Sequence, residues 1–294
     1  MTAFRRLVEE NHACIIIVSS SATGNVVAPL AERHGVPLFA WASDLNVAKN
    51  RSMVVRTWSS GEDEGDLIGA EVEKLKYQRI ARLSTVHDYP LSVGVGLARS
   101  VPAEKLLPSR ELAPNVKDFQ TEIARTRQAD AFYACLMAPG SNGLLARQMR
   151  QVRFGIPIFG CEALELGSNF QESGGALAGA WFVTGGVRPE FEQRYRALYG
   201  EPGTSGGAAL HYDLARILAA TKASSSTALI DEVLGKEWAA QGLLALRPFR
   251  GNGDQALKVN WIGGFGAGIH GGFLLFFVVV AKLDEDIVAG LDFI

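Results

Sequence analysis

The chain has 294 residues, 48% of them hydrophobic and 20% charged, with a formal net charge of -2. This is globular composition at a length beyond what one small core organises, so two lobes are expected. The near-neutral balance leaves no broad cationic surface for phosphate backbones, which argues against nucleic acid as a partner, and a basic run such as Arg147 to Arg153 reads as a solvated helix face.

In chain order, Met1 to Glu10 lacks the continuous apolar stretch of a secretory signal and predicts an amphipathic helix. Cys14 to Val18 predicts a buried strand that leads into a serine loop, Ser19 to Gly24, and Asn25 to His34 predicts a helix stopped by Gly35. Pro37 to Ala40 and Val54 to Thr57 read as short strands, Asp63 to Lys76 as a helix, Arg79 to Ser84 as a strand and Val93 to Ser100 as a helix. Val116 to Phe119 opens a helix ending near Gln128. Ala131 to Met137 is a strand, Leu144 to Phe154 a helix, Ile156 to Phe159 a strand, and Pro189 to Tyr199 and Ala208 to Ala220 are helices.

The longest apolar stretch, Phe273 to Ala281, is about half of the ~20 residues that a membrane-spanning helix needs and reads as a buried strand. Gly266 to Gly271 matches GxGxxG, but the apolar stretch from Phe273 leaves too little room for both a helix and a second strand, so a glycine-rich turn is the better reading. Cys14, Cys135 and Cys161 each sit in or beside an apolar run and read as small core residues, not as a disulfide framework. The five histidines show no metal-ligand spacing, so neither metal nor cofactor is expected.

Strands alternating with amphipathic helices predict an α/β fold with doubly wound parallel sheets. In such sheets ligands bind beyond the carboxyl ends of the strands, which directs attention to Ser19–Gly24, Ala42–Asn46 and Gly160–Glu165.

The segment Ser20 to Leu38, with its serine pair, Ala28-Pro29 and Gly35-Val36-Pro37, resembles the Leu/Ile/Val-binding protein family of ABC-transporter solute receptors. Arg56-Thr57 is similar to that family's crossover strand and Asp118-Phe119 to its recurrent helix start. Met149 to Arg153, Phe159 to Glu162, Tyr199-Gly200 and Tyr212-Asp213 then follow in the family's order, so that the likeness runs from residue 3 to residue 222. It implies a type I periplasmic-binding-protein architecture: two Rossmann-like lobes joined by a three-stranded hinge, with residues 1–58 and 186–246 in the first lobe, 59–185 and 247–294 in the second, and the chain expected to cross between them near Arg56 to Ser60, Thr184 to Arg188 and Leu246 to Gly251. It also implies a non-enzymatic receptor that closes on a small polar solute, works with a membrane permease and resides in the periplasm. A cytoplasmic or ectodomain sensor of the same fold is the alternative. The family opens with a strand, a helix and a strand ahead of the point matching Phe4, so that unit and the signal peptide are expected to lie upstream or to be lacking.

Several residues are candidates for the solute site. Ser20 and Ser21 follow a strand and precede a helix, where hydroxyls and backbone N–H groups can hold an acceptor-bearing group; helix capping is the plainer role. By resemblance, Glu162 is the second-lobe glutamate that takes a ligand ammonium. Asp44, with Ser43 beside it, stands where amino-acid binders place a threonine facing the ligand carboxylate; an ionised aspartate there would repel a carboxylate, so either it points away or the ligand is neutral or cationic. Trp41 and Trp58 flank the same cleft and either stack on a ligand or pack the core and hinge. Tyr89 is placed by resemblance in the cleft from the second lobe, and Ser141 and Asn142 stand at a strand-to-helix junction. A hydrolase is disfavoured, because His87-Asp88 has no GxSxG elbow to serve.

Overall fold

The computed structural model describes residues 2–185, 189–200, 206–235 and 257–261. A short helix, Thr2–Arg5 (α1), runs into a wider helical turn, Arg6–Glu10. Three parallel strands follow, Ile16–Val18 (β1), Leu38–Ala40 (β2) and Val54–Arg56 (β3), in the order β1-β2-β3. Helix α2, Ser21–His34, crosses from β1 to β2. It begins where the Ser20 hydroxyl accepts the Thr23 N–H, and it ends at Gly35, whose φ of 64° is open to glycine without a Cβ penalty.

Alternate residues of a strand face opposite sides of the sheet, and both sides are covered. Ile16, Val18, Leu38, Ala40 and Val54 pack with Phe4, Leu30 and Ala31 from the two N-terminal helices. Ile15, Ile17, Phe39 and Val55 pack on the other side against three later helices, α8 to α10, placed below.

The chain leaves β3 through Trp58 and enters α3, Gly61–Leu75, capped by the Ser60 hydroxyl on the Asp63 N–H. A second sheet then forms from Ile80–Thr85 (β4), Arg110–Leu112 (β5), Ala131–Cys135 (β6), Ile158–Gly160 (β7), Trp181–Gly185 (β8) and Leu257–Trp261 (β9). Between the strands run α4 (Asp88–Ser100), α5 (Gln120–Arg125), α6 (Ser141–Gln151) and α7 (Gly167–Ser173). After β8 come α8 (Pro189–Tyr199), α9 (Gly206–Ala220) and α10 (Ser226–Gly235).

The order is β5-β4-β6-β7-β8-β9, parallel except for β9, which is antiparallel to β8. The chain steps outward from β4 to β5 and then returns across β4 to β6, so the winding reverses between β4 and β6 and opens a crevice at their carboxyl ends. Helices α3 and α4 cover one face, over Ile80, Tyr133, Phe159 and Trp181, and α5 and α6 cover the other, over Leu83, Phe132 and Ile158, with α7 packed on α6 at Gly143. The α3–α4 pair meets backbone to backbone. A Cβ at Gly65 would lie 2.2 Å from the Val93 carbonyl oxygen and one at Gly96 2.0 Å from that of Glu62.

The expected α/β architecture with parallel sheets is present. Helix α4 starts at Asp88, ahead of the expected Val93, because Pro90 falls in its first turn, where a missing N–H breaks no helical bond. Strands β5 and β8 and helices α7 and α10 go beyond the sequence reading; β5 is largely exposed and carries no alternating pattern to mark it. The cysteine reading is corrected. Cys135 and Cys161 are joined by a disulfide, since β6 and β7 are parallel neighbours and their ends bring the two Cα atoms to 5.5 Å. Both remain core residues, so apolar surroundings and cross-linking are not alternatives here.

Among the described residues no helix is long and apolar enough to cross a membrane. The strand expected at Phe273–Ala281, the turn at Gly266–Gly271 and a crossover at Leu246–Gly251 lie outside the described residues.

Candidate functional site

The serine loop emerges from the carboxyl end of β1, and its three hydroxyls have different tasks. Ser19 Oγ lies 3.4 Å from Nε2 of His211 on α9, whose Nδ1 sits 2.7 Å from the Gly207 carbonyl. Ser20 is occupied as the α2 cap and also donates to Thr23 Oγ1 at 2.8 Å. Ser21 is buried and its Oγ accepts two backbone N–H groups, from Ser43 at 3.0 Å and Asp44 at 3.1 Å. With both lone pairs used, the Ser21 hydroxyl can act outward only as a donor, polarised by the bonds that it accepts.

Ser43 and Asp44 follow β2 and are both buried. The Asp44 carboxylate is buried and pairs with no cation among the described residues: Oδ1 accepts the Asn46 N–H at 2.9 Å and its amide at 3.0 Å, while Oδ2 accepts from Asn25 at 2.7 Å. The same Asn25 amide donates to Asp88 of α4 at 2.9 Å and so bridges the first sheet's helix to the second sheet's helix. Asp44 is therefore a turn-capping and bridging carboxylate.

A second bridge lies deeper. The Trp58 indole N–H, set in the first sheet's core, donates to Oε2 of Glu162 at 2.8 Å. Glu162 begins the helical turn Glu162–Glu165 just past β7 and the disulfide. Its backbone N–H donates to Oε1 of Glu64 at 2.9 Å and lies 3.2 Å from the Tyr89 hydroxyl, which itself donates to the Glu64 carboxyl at 2.9 and 3.0 Å. Glu64 is 1% exposed. Burial, aided by the Glu162 charge, pushes its carboxyl well above the usual carboxylate range. Glu162 keeps some exposure as a residue, but its carboxyl sits deep; burial first, and the Glu165 carboxylate second, push it up to about 8, with the Trp58 bond opposing.

The structure thus brings Tyr89 and Glu162 together, and holds Ser21, Ser43 and Asp44 together on the first sheet. Trp41 lies edge-on to Trp58 and to His211, each at 5.6 Å, with its ring against Gly207, where a Cβ would lie 2.5 Å from it; it is a wall of the first core. Ser141 stands apart from the Glu162 group, lining a pocket of about 130 Å³ with Asn115, Lys117, Gly140 and Glu172. Asn142 is structural: its side chain accepts the Leu136 N–H and donates to the Leu136 carbonyl, closing the turn between β6 and α6.

Glu64 is the member that sequence reasoning missed. As the third of Glu62-Asp63-Glu64 it reads as an acidic first helical turn, which is ordinary. Its spacing of four and eight residues from the buried Ile68 and Val72 was the available signal, a carboxyl in register with the apolar stripe.

The family described as "Periplasmic binding protein" matches residues 1–235. The chain belongs to the periplasmic binding protein family. As a periplasmic binding protein it has solved structural relatives that share its fold. A leucine-binding protein from Thermotoga maritima is 21% identical with a TM-score of 0.77, covering 89% of this chain and 80% of its own. The substrate-binding protein of a branched-chain amino acid transporter from Streptococcus pneumoniae, solved with isoleucine, is 20% identical with a TM-score of 0.78, at 95% and 82% coverage. An ABC-transporter solute-binding protein from R. palustris, solved with benzoate, is 16% identical with a TM-score of 0.76, at 96% and 82% coverage. No curated protein sequence matches this chain. The resemblance read from the serine loop onward and the ligand-binding receptor function agree with this membership.

Proposed function

We propose that this periplasmic binding protein is the solute receptor of an ABC-type importer, holding a small polar solute between its two sheet-based bodies and presenting it to a membrane permease. The observation that carries the reading is the Trp58–Glu162 bridge. It places a deeply set carboxyl on a partly exposed residue, fixed from behind by Glu64, at the seam between the bodies and beyond the strand ends where α/β sheets bind ligands. The lobes are residues 1–58 with 186–246, and 59–185 with 247–294. The strand crossover at Arg56 to Ser60 acts as part of the hinge, so solute binding shifts an open–closed equilibrium and breaks no covalent bond.

Within this reading Ser21 supplies a hydroxyl donor, the loop at Ser43 closes over it, and Glu162 takes a donor or cationic group of the solute. Ser20 and Asp44 hold the loops in shape. Trp41 and Tyr89 support Trp58 and Glu64, and Ser141 lies at the margin. The relatives solved with isoleucine and with benzoate make both solutes reasonable probes. The buried Cys135–Cys161 disulfide supports an oxidising compartment such as the periplasm.

The test is a thermal-shift screen with isoleucine, leucine, benzoate, short amides and polyamines. A solute at 100 times its Kd stabilises the native state by about 2.7 kcal/mol. One or more of these compounds is expected to raise the melting temperature, with Glu162→Gln weakening an amine-bearing solute more than tenfold. No shift from any compound, together with turnover of a chromogenic ester, would end the receptor reading.

A further inference from the structure

Behind the seam lies a cluster of buried titratable groups in which two solute-site candidates, Tyr89 on α4 and Glu162 after β7, meet two groups outside that set, Glu64 on α3 and Tyr133 on β6. Glu64 and Tyr133 are 1% and 2% exposed, and the Tyr133 hydroxyl has no hydrogen-bond partner among the described residues. The Glu64 carboxyl accepts the Glu162 N–H and the Tyr89 hydroxyl, so the charge on Glu64 and the placing of Glu162 are set by one contact.

Among the described residues, the charged groups on the surrounding elements make their hydrogen bonds and ion pairs elsewhere than to this pair. Arg56 on β3 donates through Nη1 to the carbonyls of Ala42 and Trp58, and Arg82 on β4 donates to the Leu107 carbonyl. On α3 and α4, Arg99 is taken by Glu62 and Asp66, and Asp88 by Asn25. His87 precedes α4 with its Nδ1 buried and unpartnered among the described residues. Glu165 follows Glu162 and accepts from Thr184 of β8, a residue in register with Lys258 of β9. No lysine or arginine pairs with Glu64 or Glu162 among the described residues. Two carboxyl groups in such surroundings do not ionise independently.

We propose that Glu64 is a positioning residue for Glu162, and that the Glu162 carboxyl so held retains a proton in the empty protein that a cationic group of the solute displaces. The displacement half rests on Glu162 being solute-facing. The exchange balances: the neutral Glu162 acid loses its proton to bulk water, and the resulting carboxylate pairs with the ammonium that arrives. Oε2 stays bonded to Trp58, which leaves Oε1 for the solute. A solute without a cationic group, such as benzoate, instead accepts a hydrogen bond from the neutral acid and releases nothing. The cleft therefore distinguishes amines from carboxylic acids by proton stoichiometry, and binding of amines strengthens as pH rises.

The Trp58 indole N–H reports Glu162 directly, because the two are hydrogen-bonded. In the empty protein its NMR resonance, assigned through Trp58→Phe, is expected to titrate with a midpoint near 8. Glu64→Gln, which loosens the hold on the Glu162 backbone N–H and removes the neighbouring carboxyl, should move that midpoint downward. An unchanged midpoint, or none between pH 6 and 9 in the native protein, overturns the proposal. Should the Glu64→Gln protein not fold, Glu162→Gln must abolish the transition; its persistence is equally fatal. A merely structural Glu64 would change stability without moving this midpoint. Calorimetry of L-isoleucine at pH 7 in buffers of different ionisation heat then tests displacement. Release of about one proton per molecule, absent with benzoate, supports it. Binding without release overturns it, and failure of L-isoleucine to bind removes the solute-facing role of Glu162 while the indole titration still decides the proton retained on Glu162.

Discussion

At the scale of single residues, the energetic consequence of the Glu162 environment can be signed. Its folded carboxyl is raised to about 8, above the ordinary value of 4.5, so the native state binds more protons than the unfolded chain between those limits. The contribution to stability is fully present below pH 4.5 and is lost as pH rises through 8; Glu64, raised in the same direction, adds to it. The melting temperature of the empty protein should fall from pH 6 to 9, and Glu162→Gln should flatten that slope, as scanning calorimetry across the range would reveal. A slope identical in both proteins would place the pH dependence elsewhere. Trp58→Phe removes a donor that opposes the rise, and the loss of this bond is expected to cost about 1 to 2 kcal/mol in urea unfolding.

The sequence alone marked the strand-end positions of Ser21, Ser43 and Glu162, because α/β winding puts loops there. It did not separate a hydroxyl that caps from one left free to donate. Ser20 and Ser21 are chemically identical neighbours, and only the path of the loop after β2 decides that Ser21 receives two backbone N–H groups while Ser20 receives one. The Asp44 question, whether it points away or selects a cation, is a matter of side-chain direction, which short-range pattern does not carry.

At the scale of elements, the helix pair α3–α4 is the support that keeps Glu64 and Tyr89 in contact. Its spacing is set by Gly65 and Gly96, where each helix backbone lies against the other. Gly65→Ala would force a Cβ into the Val93 carbonyl and the Leu97 nitrogen, at 2.2 and 2.5 Å, neither of which can turn aside as a side chain tip can. Separation of the helices should destabilise the protein by about 1 to 3 kcal/mol or more in denaturant unfolding. It should also lengthen the Tyr89–Glu64 bond and shift the Trp58 resonance. A Gly94→Ala change in the same helix, where a Cβ meets nothing within 4 Å, should leave both readouts close to native. Elements with strong periodicity and clear stops, such as α2 and α9, were legible from sequence. The exposed β5 and the short, serine- and glycine-rich α7 were not, since tertiary placement and not pattern defines them.

At the scale of the whole molecule, two bridges from the first body to the second, Asn25 to Asp88 and Trp58 to Glu162, are made entirely by the protein's own groups. A solute at Glu162 would therefore add to contacts that the protein's own groups make across the seam. Within the second body the disulfide ties the last residue of β6 to the first residue after β7, closing a loop with a sequence separation of 26. Replacing both cysteines by alanine should lower stability by about 3 kcal/mol in denaturant unfolding under oxidising conditions and have little effect against a reduced reference. Equal stabilities of the native and doubly substituted proteins under oxidising conditions would show that the bond contributes nothing.

Both sulfur-bearing residues of that bond are completely enclosed, at 0% exposure each. An oxidant or a thiol–disulfide carrier needs access to the thiol, and the finished core offers none. The cross-link therefore has to be made while the ends of β6 and β7 are still open, so the order of events is fixed: oxidation precedes closure of the core. A chain that reaches its native packing in a reducing medium is locked out of its own disulfide, and later exposure to oxidant restores it only through partial unfolding. The history of the chain, and not only its final surroundings, determines which covalent form of the receptor is obtained.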